Sequence, residues 1–332
     1  MTDIRATDVH AHAIPPAAVA AIERHGDRYG MSVAHTEQGP VVTLPGRRKV
    51  RPIIGGLLDF EERVRLMDER GVTRQLVSPW TDLQGFELLP QAGADWARLM
   101  NDALAEACAP ASERLIALGT VPFGEVGASV RELERLTREL HMPGVMISTN
   151  PGDTSLADPY QDEVWAAAES LGVPIILHPP SIGPSAAVPD TGDFGNLWLR
   201  LIDTTLVATR LILNGVLDRH PRLKIVLVHG GGFLPFQIGR LDRSVLIGQP
   251  PAQLAAGAPA EYLRRFHYDT CAMSPDAIRL LASACGADRL LMGSDYPFPI
   301  GDPDPIARVH AAQLDPSATQ GVLGANWAAL AG

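Results

Sequence analysis

The 332-residue sequence predicts an α/β chain folded as a (β/α)8 (TIM) barrel with a small insertion after the first strand. Two observations carry this prediction. Eight short apolar runs recur along the chain with helical stretches between them, the order that builds a parallel sheet closed on itself. Several runs, VPIILH and LKIVLVH among them, are almost continuously apolar, as strands buried on both faces must be. The length agrees, because barrels of this kind run this long as one domain. Residues 1–332 therefore read as one domain, with 15–58 an insertion or arm within it.

The elements follow in order. The first run, Ile4–Ala11, leads into a connection from Pro15 to Leu58 that is rich in Gly, Pro and charge, and whose VVTLP is expected to form a small β-hairpin. Asp59 can cap a helix that passes through Glu61, Glu62 and Met67 and stops at Gly71. The run Val72–Ser78 precedes a candidate helix from Gln91 to Ala109. Leu115–Val121 is followed by Val126–His141, whose Val130, Leu133, Leu136 and Leu140 recur at helical spacing. After Gly144–Ser148, Asp158-Pro159 opens a helix that ends near Leu171-Gly172. Val173–His178 leads into a second long connection, Pro179 to Asn196, and then an apolar stretch around Leu201–Leu217. Asp203 and Arg210 interrupt that stretch, which reads as a core helix and not a membrane span. Leu223–His229 and Phe266–Cys271 come next. Ser274-Pro275-Asp276 is an N-cap with Pro at the first helical position, and that helix ends before Gly286. Arg289–Ser294 is the eighth run. Both long connections leave the C-terminal ends of strands, where barrel enzymes build their sites.

Composition narrows the function classes. The formal net charge is −10 and no Lys/Arg cluster could track a phosphate backbone, so nucleic acid is not an expected partner. Met1 to Arg5 lack the apolar region of a signal peptide, and neither a membrane span nor a membrane partner is expected. Cys108, Cys271 and Cys285 are odd in number and form no CxxC pair, which fits the reduced cytoplasm.

The residues that carry chemistry gather at C-terminal strand ends. In DVHAHA, period-two alternation puts Asp8, His10 and His12 on one strand face, so two imidazoles converge if that face looks inward. His178 closes VPIILH and is followed by Pro-Pro. His229 closes LKIVLVH, and the glycines after it permit close backbone approach and offer amides that could bind an anion. Asp295 follows an apolar strand in LLMGSDYPFP, where an unpaired carboxylate is costly unless it ligates. Each residue alone has an ordinary structural explanation; five at the same end of one barrel point to a metal site. His25, His35, His141, His220 and His310 fall in loops or helices, and His267 opens the seventh strand at the other end. Three imidazole nitrogens and a carboxylate with an open position, from His10, His12, His178 and Asp295, suit one divalent ion, Zn²⁺ first, with Mn²⁺ or Fe²⁺ as alternatives because ligand type alone does not decide. His229 is then placed as an acid/base group, with Asp295 beside it.

These motifs, in this order, resemble the amidohydrolase superfamily, and most of all its decarboxylase branch typified by 2-amino-3-carboxymuconate-6-semialdehyde decarboxylase. The resemblance runs over nearly the whole chain through DVHAHAIP, RLMDERGV, LGTVPF, HMPGVMI, LHPP, NGVLDRHPRLKIVLVHGGGFLPFQIGRLDR and GSDYPFPIGD. It implies that His10, His12, His178 and Asp295 are the metal ligands and that His229 activates water or relays a proton. It implies that Phe298 lines the substrate pocket, for which Trp198 is a further candidate. Arg240 resembles an arginine supplied across a dimer interface, which implies a homodimer. Strand four, GVMIST, lacks the carboxylated lysine of two-metal relatives, which implies one metal. The branch also places two arginines in the first insertion for substrate carboxylates. Arg51 matches one and Ile54 stands at the other, while Arg47 and Arg48 have no fixed place. A less acidic aromatic acid than the muconate semialdehyde, salicylate-like or dihydroxybenzoate-like, is the expected substrate.

The sequence therefore predicts a metal-dependent, non-oxidative decarboxylase of an aromatic or unsaturated carboxylic acid, needing no organic cofactor, with Arg51 or Arg240 orienting the acid. A hydrolase or hydratase on the same scaffold is the alternative, since a fold does not fix a reaction. A non-catalytic binding barrel is disfavoured by the intact ligand set.

Overall fold

The computed structural model describes residues 6–122, 125–150, 154–181, 183–188, 194–249 and 255–332. Ile4 and Arg5, where the first run was expected to begin, lie outside them, as do residues 182 and 189–193 of the second long connection. Each of the eight apolar runs contains a strand. In chain order the strands are β1 (Thr7–Ala13), the hairpin strands β2 (Ser32–Thr36) and β3 (Gly39–Thr43), β4 (Arg74–Pro79), β5 (Leu115–Ala117), β6 (Val145–Ser148), β7 (Ile175–His178), β8 (Ile225–Leu227), β9 (Phe266–Asp269) and β10 (Leu290–Leu291).

Parallel pairing runs β1-β4-β5 in one sheet and β6-β7-β8-β9-β10 in another. Backbone hydrogen bonds join the sheets at both edges. Val9 N donates to Met292 O at 2.9 Å and Asp295 N to His10 O at 2.8 Å on one side. Gly119 N donates to Gly144 O at 3.1 Å and Met146 N to Gly119 O at 2.8 Å on the other. The result is the TIM barrel expected from the alternation of apolar runs and helices. Its interior is filled by Val9, Leu76, Leu118, Met146, Ile176, Val226 and Leu291, packed with Trp327 and Leu330 of the last helix. This layer floors the site. Neighbouring strand residues of opposite parity, such as Ile175, Leu177, Ile225 and Leu227, face the helices in the largest core cluster.

The helices begin where their caps predicted. Asp59 accepts from Glu62 N ahead of Phe60–Glu69, and Ser274 accepts from Ala277 N ahead of Pro275–Cys285. Pro90–Cys108, Val126–Arg138, Asp162–Leu171 and Arg200–Leu213 fill the other expected spans.

The connection after β1 holds more structure than its composition suggested. A 14-residue helix, Pro16–Tyr29, starts on Pro16 and ends on Gly30 in the left-handed region (φ 64°) before the expected hairpin. Ala18, Val19, Ile22 and Tyr29 of this helix pack with Val42, Leu44, Trp80, Trp96 and Met100 in a second core cluster. The alanine-rich PAAVAAIERH carries the helical signal, which the abundance of Gly and Pro nearby obscured.

Candidate metal centre

β1 does not keep the strict alternation expected of it. Its pairing with β4 shifts register between Asp8 and Ala11. His10 and His12 both reach the site, but Asp8 does not join them. Asp8 accepts from Gln75 Nε2 at 2.8 Å and from Ser294 N at 3.0 Å, and lines a small cavity with Arg63, Met67 and Val72.

The five residues singled out at strand ends meet at one point. His10 Nε2 lies 3.2 Å from His12 Nε2, and these two nitrogens lie 3.3 and 3.2 Å from Asp295 Oδ1. His178 stands against them, with ring centroids 5.0 Å from His10 and 4.6 Å from His12. His229 approaches the other carboxylate oxygen, its Nε2 3.6 Å from Asp295 Oδ2. One donor atom from each of His10, His178, His229 and Asp295 lies within 4.8 Å of the others. His229 (φ 54°) and Asp295 (φ 60°) both hold left-handed backbone, a strain that persists where surrounding structure enforces it.

The far side of each imidazole sets what its near side offers. His10 Nδ1 lies 2.6 Å from Asp269 Oδ2, and Asp269 Oδ1 accepts from Gly230 N at 2.9 Å and Cys271 N at 3.1 Å. A carboxylate so placed accepts a hydrogen bond from Nδ1–H and leaves the His10 Nε2 lone pair facing inward. His178 Nδ1 bonds Pro179 O at 2.8 Å, with the same consequence. His12 Nδ1 is 3.3 Å from Ser78 Oγ, whose own proton goes to Ala11 O. His229 differs: its Nδ1 is buried with no hydrogen-bond partner.

The inward atoms are left unsatisfied. His178 Nε2 and Asp295 Oδ1 are buried and have no hydrogen-bond partner. Unpaired buried polar atoms are costly, and these converge with the geometry of ligands awaiting a cation. The electrostatics agree. Burial, reinforced by the neighbouring imidazoles, lowers His178 well below the usual histidine range, so its ring is neutral. Burial also brings His12 down to about 4. Burial opposes ionisation of Asp295, but His10, His12 and His229 hold it well below the usual carboxylate range. For His10 burial is outweighed by Asp295, Asp269 and Asp8, which raise its pKa. The carboxylates thus draw positive charge into the centre, a demand that a divalent ion would meet.

A cavity of about 340 Å³ opens above this cluster and is lined by His229, Asp295, Arg51, Arg200, Phe298 and Trp198 among others. Arg51 lies over the rings of Trp80 (5.4 Å) and Phe298 (5.3 Å). Phe298 also contacts His12, ring to ring at 5.4 Å. Trp198 is half exposed at the cavity mouth and stacks on Phe233 at 5.8 Å. Ile54 packs against the second core cluster and does not line the cavity. Arg240 is exposed on the helix Leu234–Leu246, also away from the cavity of its own chain. The glycine amides expected to offer an anion site are engaged: Gly230 N with Asp269, Gly231 N with Val228 O and Gly232 N with His229 O.

A family model described as Amidohydrolase matches residues 7–330. The chain belongs to the amidohydrolase family. This amidohydrolase is 27% identical over 327 residues to 2-amino-3-carboxymuconate-6-semialdehyde decarboxylase of Dictyostelium discoideum, covering 96% of this chain and 89% of that one. It is 32% identical over 257 residues to gamma-resorcylate decarboxylase of Polaromonas sp. (strain JS666 / ATCC BAA-500), covering 73% and 78%. Among solved structures it is similar to 5-carboxyvanillate decarboxylase from Sphingomonas paucimobilis, with TM-score 0.83, 28% identity and 99% of both chains covered.

Two residues placed at the site escaped the sequence reading: Asp269, bonded to His10, and Arg200, which lines the cavity. Asp269 ends an apolar strand in FHYDTC, the same signal that marked Asp295, and could have been found by it. Arg200 opens a helix and carried no such mark.

Proposed function

We propose that this amidohydrolase is a metal-dependent, non-oxidative carboxy-lyase that removes CO₂ from an aromatic carboxylic acid. The convergence of three imidazoles with fixed outer nitrogens, beside an arginine- and aromatic-lined cavity, carries the reading. The relatives named above, decarboxylases of 2-amino-3-carboxymuconate-6-semialdehyde, gamma-resorcylate and 5-carboxyvanillate, support it over hydrolysis or hydration.

His10, His12, His178 and Asp295 would hold one divalent ion. The outer nitrogens favour this set, because ligand imidazoles have their second nitrogen bonded and that of His229 is free. Zn²⁺ suits three nitrogens and one oxygen, and the same set accepts Mn²⁺ or Fe²⁺. When bound, the ion supplies a Lewis acid for substrate oxygens.

The chain does the rest. Phe298 and Trp198 offer the ring apolar faces, and Arg51 stands over Phe298 at the cavity mouth. His229, at the cavity floor, gives a proton to the ring carbon that bears the carboxylate. The electron pair of the breaking C–C bond returns to the ring, CO₂ leaves, and His229 recovers its proton from solvent. Asp295 Oδ2 sits where it steadies the protonated imidazole. Residues 1–332 form one catalytic domain with 15–58 as its insertion. The protein works in the cytoplasm as a homodimer, with Arg240 reaching the partner's site. Among the described residues no helix is long and apolar enough to cross a membrane.

Incubating metal-loaded enzyme with a panel of hydroxybenzoates and muconate-type acids tests the reading. CO₂ release is expected; a product heavier by one water would establish the hydrolase or hydratase instead.

A further inference from the structure

Arg200 sits at the start of the helix Arg200–Leu213, buried, and its side chain lines the cavity above the metal centre. Its guanidinium donates to Pro179 O at 3.2 Å and to Ser181 Oγ at 2.7 Å. A guanidinium carries five N–H donors, so two acceptors leave it far from satisfied. Among the described residues it makes no ion pair. Asp82, the carboxylate that acts most on its charge, accepts from Ser181 N at 2.8 Å and from Ser181 Oγ, and faces Arg51 at 3.9 Å. Asp82 is thus engaged by Ser181 and Arg51 and forms no ion pair with Arg200.

The other buried arginines show what a structural role looks like. Arg63 donates to Gln75 Oε1, His12 O and Gly56 O and lies 4.7 Å over the Tyr296 ring. Arg135 is paired with Glu132 and Asp102. Among the described residues Arg63 has no carboxylate partner either, but three acceptors and a ring enclose its guanidinium, whereas Arg200 has two acceptors and lines the cavity above the metal centre. A buried cation without a counter-ion is destabilising, and such a group is kept where a ligand completes it. Burial lowers its pKa, with Asp82 and Asp295 acting against that, but guanidinium stays charged at any working pH.

We propose that Arg200 is the specificity-determining residue that takes the carboxylate of the aromatic acid, through the donors it turns to the cavity. This rests on the carboxy-lyase reading for the identity of the ligand. Arg51 then closes over the ring from the mouth, where it is nearly half exposed and already stacked on Phe298 and Trp80. Arg51 and Arg200 line the cavity, and with Asp82 beside Arg51 the three side chains carry one net positive charge, which a monoanionic acid neutralises.

The test compares salicylate with its neutral amide, salicylamide, by calorimetry on metal-loaded wild type, Arg200→Gln and Arg200→Lys. Wild type should bind the acid in preference to the amide. Arg200→Gln should lose about 30-fold for salicylate, as for other buried charge pairs, and less than about threefold for salicylamide, with a melting temperature equal to or above wild type. Arg200→Lys keeps the charge and loses the fork, so its loss for salicylate should fall between the two. Equal losses for both ligands, unchanged salicylate binding, or a fall in melting temperature in both variants would overturn the proposal in favour of a structural role. CO₂ release measured on the same samples separates the two readings. Arg200-dependent binding without CO₂ from any acid would overturn the carboxy-lyase reading alone. CO₂ release that Arg200→Gln leaves intact would overturn this one.

Discussion

Replacing Asp269 by Asn should loosen the metal without dismantling the barrel. Asp269 Oδ1 accepts from two backbone amides, Gly230 N and Cys271 N, while Oδ2 faces His10 Nδ1 at 2.6 Å. An asparagine must keep its carbonyl oxygen on the two amides, since an NH₂ there would oppose two donors. Its NH₂ then faces His10 Nδ1, which has to become an acceptor. The ring proton moves to Nε2 and occupies the lone pair aimed at the metal. Loss of an outer partner of this kind costs about 10–100-fold in metal affinity, or about 1.4–2.7 kcal/mol. Burial opposes the Asp269 charge but the bond to His10 holds the carboxyl ionised, so the variant also loses a negative charge beside the site. Competition against a chromophoric chelator gives the affinity, and a circular-dichroism melt shows that the fold survives. An affinity within about twofold of wild type in a folded variant would refute the argument that Asp269 sets the His10 tautomer.

Other outcomes follow from the same geometry. His178→Ala should lose both metal and turnover, whereas His229→Ala should keep a full equivalent of metal and lose about 100-fold or more in kcat. Metal analysis beside single-turnover kinetics separates the two, and a metal-free His229→Ala would make His229 a ligand. At the opposite end of the barrel, burial and Arg289 bring His267 down to about 4. Its folded-state pKa lies below the unfolded 6.5, so the unfolded chain binds the extra proton as pH falls. Stability should therefore be lost progressively from pH 6.5 to 4 and not above it, by about 3 kcal/mol from this residue. Urea unfolding of His267→Gln across that window should show a flatter profile than wild type. Gly232 has φ 64° and ψ −127°, and a Cβ there would lie 2.3 Å from Leu201 O. Gly232→Ala should lose about 3 kcal/mol of stability by denaturant titration, because neither the strain nor the backbone contact can relax cheaply.

The sequence by itself determined the order of strands and helices and the end of the barrel that carries the chemistry. Burial on both faces makes parallel strands continuously apolar, so VPIILH and LKIVLVH were legible as strands, and a polar residue closing such a run stood out. His10, His12, His178, His229 and Asp295 were found in this way, and the resemblance of motifs such as HGGGF and GSDYPFP ordered them into roles. Local signals of this kind reach only a few residues. The register shift in β1 that separates Asp8 from the two histidines depends on how that strand pairs with β4. The bond from His10 to Asp269 spans 259 positions, so no periodicity could announce it. Arg200, just ahead of the stretch read as a core helix, became a cavity residue only when the barrel brought that helix end to the cavity that Asp295 also lines. The glycine amides after His229, free on paper, are taken by Asp269 and neighbouring carbonyls. Tertiary structure decided these points because tautomer, unpaired charge and free donors depend on neighbours in space, which chain closure alone brings together.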